Sequence, residues 1–259
     1  TRSAFVTGVQ TCALPIGRIL RVATAPAPQR LNQSCELLTP DALSALKWNE
    51  TALVVWAGTL PDAAAGASLQ AFIEDGGVVV FFPPGHSDSR QLWDMSWGEP
   101  VTRETRITSW RNTDGPLAQT QEGVDLPVGE LKFARMQPIV GEATVLASLD
   151  DGRPLLARKQ FGKGAAYFCA SLPKSDWSNL GDGTVLVPML QRLLAAGGQR
   201  LGRNSNIFCG DLVGAGTEPV TRLAGDAEAG VYQIGNRIVA VNRPAFRSEE
   251  RRVGKECRS

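Results

Sequence analysis

The stretch from Leu69 to His86 has the sequence LQAFIEDGGVVVFFPPGH, and it predicts a helix, a break, a buried strand and a turn. Apolar residues at helical spacing follow Ser68, which is a suitable N-cap, and Gly76 stands where a left-handed C-cap is expected. Val78 to Phe82 is an unbroken run of β-branched and aromatic residues. Such a run is typical of a parallel strand that is covered on both faces.

The rest of the chain extends this pattern in both directions. Apolar strands are predicted at 18–24, 51–58 and 165–171, with helical segments from Thr39 and from Thr184 to Gly197-Gly198. Short strands at 102–110, 131–136, 143–149 and 154–160 include a hairpin at Asp150-Asp151-Gly152. The fold class predicted is α/β, with a doubly wound, mainly parallel sheet of flavodoxin-like type and antiparallel additions.

Both ends of the chain differ in character from the middle. Residues 1–16 and 247–259 back-translate without mismatch into the two adapters of a sequencing library. We therefore interpret both segments as adapter-derived, expect them to be disordered, and set them aside as one would a fusion scar. Residues 17–209 are predicted to form the α/β domain. Residues 210–246 are predicted to begin a small β module, with two strands around Gly235-Asn236, and the parent protein is expected to continue in both directions.

Composition excludes several classes of function. The terminal segments hold six of the 27 Lys and Arg residues and three of the 26 Asp and Glu residues, so the net charge changes from +1 to −2 without them. The basic tail is therefore not a nucleic-acid arm. Cys35, Cys169 and Cys209 are too few and too scattered for a disulfide scaffold or a zinc site. No apolar run approaches the ~18 residues of a membrane span, and no cofactor or metal motif is present.

The turn after a buried parallel strand is where α/β proteins place their chemistry. Here that turn contains Pro83 and Pro84, and neither Ser nor Cys occurs between Gly76 and His86. Proline offers no nucleophile and no backbone N–H for an oxyanion hole. His86 is the one histidine, but its neighbours Ser87 and Asp88 are consecutive in sequence, whereas the members of a triad normally come from different segments.

Tryptophans provide a second group of candidate residues. Trp93, Trp97 and Trp177 lie in segments predicted to be loops, where indoles can stack on sugars or anchor a protein partner. The alternative is that they cover the edges of the sheet. With Pro83, Pro84 and His86, these three tryptophans form the predicted interaction surface.

Longer stretches carry a resemblance to known proteins. Residues 53–85 resemble the strand-helix-strand of class I glutamine amidotransferase-like domains. Phe161-Gly162-Lys163-Gly164, Asp176-Trp177-Ser178 and Val187-Pro188-Met189 resemble the following segment in large bacterial membrane proteins that bear the BatA, or aerotolerance-regulator, N-terminal double-transmembrane region. Similar Gly-x-Gly strands occur in the trimerisation domains of β-galactosidases.

The resemblance implies a non-catalytic domain that is held at a bacterial cell membrane by flanking segments and binds protein partners there. No catalytic residue carries over, because the Gly-x-Cys-x-Gly elbow of the amidotransferases is absent. Two alternatives stay open. The chain could be a carbohydrate-binding or accessory domain of a glycan-processing protein, or a hydrolase with an unrecognised site.

Overall fold

The structure is a computed structural model that describes residues 2–7, 13–26, 33–120, 122–201, 206–208, 230–234 and 237–242. Side chains are described at 16–26, 33–120 and 122–201. The chain divides into two compact units, Thr1–Leu201 and Gly202–Ser259. The boundary between them lies eight residues before the one predicted from the sequence.

The described helices and strands of the first unit are as follows. The α-helices are α1 Ala13–Thr24, α2 Ala63–Glu74 and α3 Leu186–Gln199. The strands are β1 Arg2–Thr7, β2 Ser34–Leu38, β3 Thr51–Ala57, β4 Val78–Phe82, β5 Gln91–Leu92, β6 Met95–Trp97, β7 Val101–Trp110, β8 Lys132–Met136, β9 Ile139–Val140, β10 Thr144–Leu149, β11 Pro154–Phe161 and β12 Gly164–Cys169. Short 3-10 helices lie at Pro40–Ala45, Trp48–Glu50, Val128–Glu130 and Asn179–Asp182.

A nine-stranded mixed sheet organises the first unit, in the order β2-β1-β3-β4-β12-β11-β10-β7-β8. The first five of these strands run parallel, and each later neighbour is antiparallel. Counted among themselves, the parallel strands have the order 2-1-3-4-5, which is the flavodoxin-like order. The prediction of an α/β fold with antiparallel additions is confirmed.

The centre of the sheet is apolar because β3 and β4 carry almost uninterrupted hydrophobic runs. Every residue of β4 is buried, and so is every residue of β3 except Ala57. Helix α3 packs closely on this layer. A Cβ added at Gly197 would lie 1.9 Å from the backbone oxygen of Ala52, so only glycine permits this approach of helix to strand. Gly197-Gly198 therefore lies within α3, and the prediction that this pair ends the helix is wrong.

The amino-terminal part of the unit differs from the prediction. The strand predicted at 18–24 is instead the second half of helix α1, whose buried residues recur at helical spacing as Gly17, Leu20, Ala23 and Thr24. Residues 2–7, which were expected to be disordered, form β1 between β2 and β3. Helix α2 begins after Asp62, whose carboxylate accepts a hydrogen bond from Ala65 N at 2.9 Å. Ser68 is thus an interior residue and not the predicted N-cap.

Strand β8, at the end of the antiparallel half of the sheet, is hydrogen-bonded to the segment that follows β12. The backbone N–H groups of Ala134 and Arg135 donate to Trp177 O at 2.8 and 3.1 Å, and Gln137 N donates to Ala170 O at 2.7 Å. Lys132 N donates to the side-chain oxygen of Asn179 at 2.8 Å. The segment after β12 therefore satisfies backbone donors along β8, the last strand of the sheet, as edge strands require.

The second unit contains a three-stranded sheet in the order β13-β15-β14. Its strands are β13 Asn206–Phe208, β14 Gly230–Ile234 and β15 Arg237–Asn242. Strands β14 and β15 are antiparallel, which confirms the two strands predicted around Gly235-Asn236. Cys209 lies outside the described residues.

Candidate functional site

The turn Pro83–His86, here called the Pro-Pro turn, follows β4 at the carboxyl edge of the parallel strands. Pro83 is buried and Pro84 is half-buried. Gly85 has φ +82°, and a Cβ at this position would lie 3.4 Å from the Trp177 ring. The ring is at ordinary contact distance, and it is the left-handed conformation that favours glycine here. The turn is thus packed against the protein.

Gln137 holds the Pro-Pro turn from the β8–β9 connection. Its side chain is fully buried and accepts a hydrogen bond from Gly85 N at 3.1 Å. Its amide nitrogen donates to His86 O at 2.9 Å and to Gly98 O at 3.0 Å. The first backbone N–H after the two prolines therefore already has a partner and is not available to stabilise an oxyanion.

Arg135 and Trp177 cover the other side of the Pro-Pro turn. The Arg135 guanidinium lies 4.8 Å from the centre of the buried Trp177 ring, at cation–π distance, and donates to Gly85 O at 3.4 Å. Ser171 is fully buried, and its hydroxyl donates to Arg135 O at 2.9 Å. Side chains from β8 and from the segment after β12 thus pack against the Pro-Pro turn.

His86 is exposed, and its neighbours are engaged elsewhere. The Ser87 hydroxyl donates to the Glu99 carboxylate. The Asp88 carboxylate accepts a hydrogen bond from Leu60 N at 3.0 Å and thereby fixes the loop after β3. Within the described residues, no hydroxyl or thiol is hydrogen-bonded to the His86 ring. The run His86 to Ser89 is not arranged as a catalytic triad.

Cys169 is the last residue of β12 and carries a thiol. It is buried, and its sulfur donates to Ser171 O at 3.5 Å. Burial raises the pKa of the Cys169 thiol to about 11. Because the thiolate is the nucleophilic form, the buried Cys169 acts as a packing residue.

The tryptophans proposed as a surface lie mainly in the interior. Trp97 is buried, and its ring lies 6.0 Å from that of Phe168. Trp93 is half-buried between Phe81 and Phe161, at ring distances of 5.9 and 4.7 Å. Because Pro83, Trp97 and Trp177 are buried, the predicted interaction surface does not exist as a whole, and His86 is its one exposed member.

A cleft that the sequence did not reveal, with four charged residues in its lining, lies on the antiparallel half of the sheet. We call it the β7–β8 cleft. It has a volume of about 550 Å³ and is lined by Glu104, Thr105, Arg106, Lys132, Phe133, Ala134, Asp150, Ser175, Ser178 and Asn179. Its charged residues come from two strands and a hairpin turn that are far apart in sequence. Only the strand register brings them together, so no sequence motif could have identified them.

Within the described parts of the chain, no three His, Cys, Asp or Glu residues converge as a metal site would require. None of the described helices is long and apolar enough to span a membrane.

Comparison with known proteins adds information about the fold. No protein-family model matches the chain, and no curated protein sequence matches it. A ThuA-like protein from Bacteroides uniformis is similar in structure, with a TM-score of 0.53 and 10% identity over 74% of this chain and 90% of that chain. A ThuA-like protein from Parabacteroides merdae has a TM-score of 0.44 and 13% identity over 76% and 89%.

A β-galactosidase from Bacillus circulans is also similar, with a TM-score of 0.49 and 16% identity over 78% of this chain. The chain spans only 31% of that enzyme's length, and 27% of another β-galactosidase that it matches. At these identities the likenesses concern the fold alone. The likeness to the Bacteroides uniformis protein agrees with an α/β fold.

Proposed function

We propose that this chain is a non-catalytic amidotransferase-like domain with helices on both faces of its parallel sheet, and that it serves interaction or assembly. The observation that carries this proposal is the filled Pro-Pro turn. Pro83 and Pro84 stand where the amidotransferases have their nucleophile elbow. The side-chain oxygen of Gln137 accepts the hydrogen bond of the Gly85 N–H, and Arg135 and Trp177 occupy the adjoining space. A domain that kept a substrate site here would leave that space open.

Catalysis by acyl transfer needs a nucleophile, a base within hydrogen-bond reach and donors for the oxyanion. Proline at the elbow supplies none of these. The thiol of Cys169 in β12 is buried with a raised pKa. The chemistry of the described carboxyl edge therefore favours a scaffold over an enzyme.

The direct test is an assay of the purified chain for glutaminase and esterase activity. We expect rates at the level of buffer for the wild type and for His86→Ala. Lys47→Ala, at an exposed position in a different segment, is the control. Activity that is lost in His86→Ala but kept in Lys47→Ala would overturn the proposal.

The resemblance to BatA-type proteins extends this proposal to protein partners at a bacterial cell membrane, reached through segments outside this chain. Support for the extension comes from the quoted motifs alone. Asp176-Trp177-Ser178, for instance, lies where the chain covers the edge of β8. The uninterrupted gene tests the extension, since two transmembrane segments upstream of this domain are expected. A glycosidase domain in that position would favour a second candidate function.

That second candidate is a carbohydrate-binding or accessory domain. The observation that favours it is the β7–β8 cleft, because carboxylates, cations and a hydroxyl line one open space there. Sugars offer many hydroxyl groups that both donate and accept hydrogen bonds, and such linings satisfy both roles. Binding of the chain to a glycan array tests this candidate, and no binding to any glycan would remove it.

A further inference from the structure

Two cations face each other on one wall of the β7–β8 cleft. Arg106 and Lys132 are direct partners in the antiparallel register of β7 and β8, and both are exposed. Directly opposite residues have Cβ atoms about 5 Å apart, and like charges in this arrangement are destabilising. Among the described residues, neither cation forms an ion pair. An anion between them would relieve the repulsion.

The remaining polar groups of the cleft suit hydrogen-bond donors. Glu104 is exposed on β7, two residues from Arg106, and no described residue pairs with its carboxylate. One oxygen of Asp150 accepts from the Thr105 hydroxyl, and the other has no hydrogen bond within the described part of the chain. Ser175 is exposed and also lines the cleft. By contrast, the Asn179 amide is already used, because it accepts from Lys132 N and donates to Glu130 O.

The size of the cleft limits the ligand. A volume of about 550 Å³ lies within the range of small-molecule sites, which is roughly 300 to 1,000 Å³. The cleft is open, and its charges cancel in pairs, with two cations and two carboxylates. A simple inorganic anion would meet the cations but leave the carboxylates without donors. A ligand that combines one anionic group with several hydroxyl groups would satisfy both sets.

We propose that the β7–β8 cleft binds a small anionic sugar, with its carboxylate or phosphate between Arg106 and Lys132 and its hydroxyl groups on Glu104 and Asp150. This inference rests on the carbohydrate-related candidate above and assigns it a site and a class of ligand. It does not depend on whether the Pro-Pro turn is catalytic.

The test uses the full chain and four probes: glucuronate, glucose 6-phosphate, neutral glucose and inorganic phosphate. Binding is followed by amide chemical shifts during titration at low and at physiological salt. We expect one of the two sugar anions to bind at least tenfold more tightly than glucose and than inorganic phosphate, and to weaken as salt is added. Comparison of glucuronate with glucose 6-phosphate identifies which anionic group the site accepts.

Substitutions then locate the site. Arg106→Gln and Lys132→Gln should each weaken binding of the sugar anion about tenfold, a loss of ~1.4 kcal/mol. Lys132→Arg should retain binding within threefold, which shows that the substituted strand is folded. Arg103→Gln is the matched control, because Arg103 lies on the same strand outside the cleft and faces Asp151 at 3.7 Å. Its affinity should equal that of the wild type.

Three outcomes would overturn the inference. Equal affinity for inorganic phosphate and for the sugar anions would refute the role of the hydroxyl groups. Unchanged binding in both glutamine variants would place the ligand elsewhere, and the carbohydrate-related function would survive without this site. A third outcome is that none of the four probes binds, while the chain binds a glycan array and Arg106→Gln does not alter that binding. This outcome would reject the cleft as the binding site but would keep the carbohydrate-related function.

Discussion

Replacement of Gln137 by methionine tests how strongly the Pro-Pro turn is held. Methionine nearly preserves the length and volume of the side chain but removes three hydrogen bonds, from Gly85 N and to His86 O and Gly98 O. Each is worth ~1 kcal/mol net. We therefore expect the free energy of unfolding to fall by about 3 kcal/mol. For a unit of this size the melting temperature should fall by roughly 6 to 12 °C.

The measurement is urea unfolding followed by tryptophan fluorescence. The slope of the transition should be unchanged, because the surface exposed on unfolding stays the same. Gln91→Met is the matched control, since Gln91 is exposed and its side chain makes no hydrogen bond among the described residues. Its unfolding free energy should change by less than about 0.5 kcal/mol. If Gln137→Met costs no more than Gln91→Met, Gln137 does not hold the turn.

Four further substitutions follow from the conformation or contacts of particular residues. Asp94→Gly should raise the unfolding free energy by about 1 kcal/mol, because Asp94 has φ +63°; a loss of stability in the same urea assay would contradict this. Arg200→Met should cost about 2 kcal/mol, since the guanidinium lies 5.0 Å from the Phe72 ring and 3.2 Å from Asp75. Asp75→Asn should cost less than about 1 kcal/mol, because Asp75 is exposed. Cys169 should resist thiol reagents until the domain unfolds. Burial raises the pKa of Cys169 to about 11 from 9.0. Its contribution of roughly 2 to 3 kcal/mol to the free energy of unfolding is therefore present below pH 9 and is lost as the pH rises through 11. Cys169→Ala should therefore flatten the loss of stability between pH 9 and 11, and an unchanged pH profile would refute the assignment.

The pattern of apolar residues was sufficient for most of the fold. The runs that form β3, β4 and β12 are almost entirely apolar, and such strands need cover on both faces, so their place in a parallel sheet follows from composition. The hairpin around Asp151 was found from its turn residues. These features depend on neighbours along the chain, which a sequence displays directly.

The errors have two different causes, one local and one long-range. Residues 18–24 hold Ile19, Leu20 and Val22 in a short window, and removal of residues 1–16 hid the first turn of α1, so too little helical period remained. Gly197 was taken as a helix end because glycine usually marks one. The structure shows that it serves the close contact with Ala52, which lies 145 residues away. Long-range packing overrode the local preference.

What the sequence determined by itself was the absence of Ser and Cys from the turn after β4, since Pro83 and Pro84 stand there whatever the partners of the turn are. Only the tertiary structure decided what occupies the space around them. Gln137 lies 51 residues from His86 in sequence. It reaches the turn because β8 is hydrogen-bonded to the segment after β12. The same is true of Arg106 and Lys132, which become neighbours through strand register. Contacts across a sheet depend on pairing between distant strands, which one sequence does not specify.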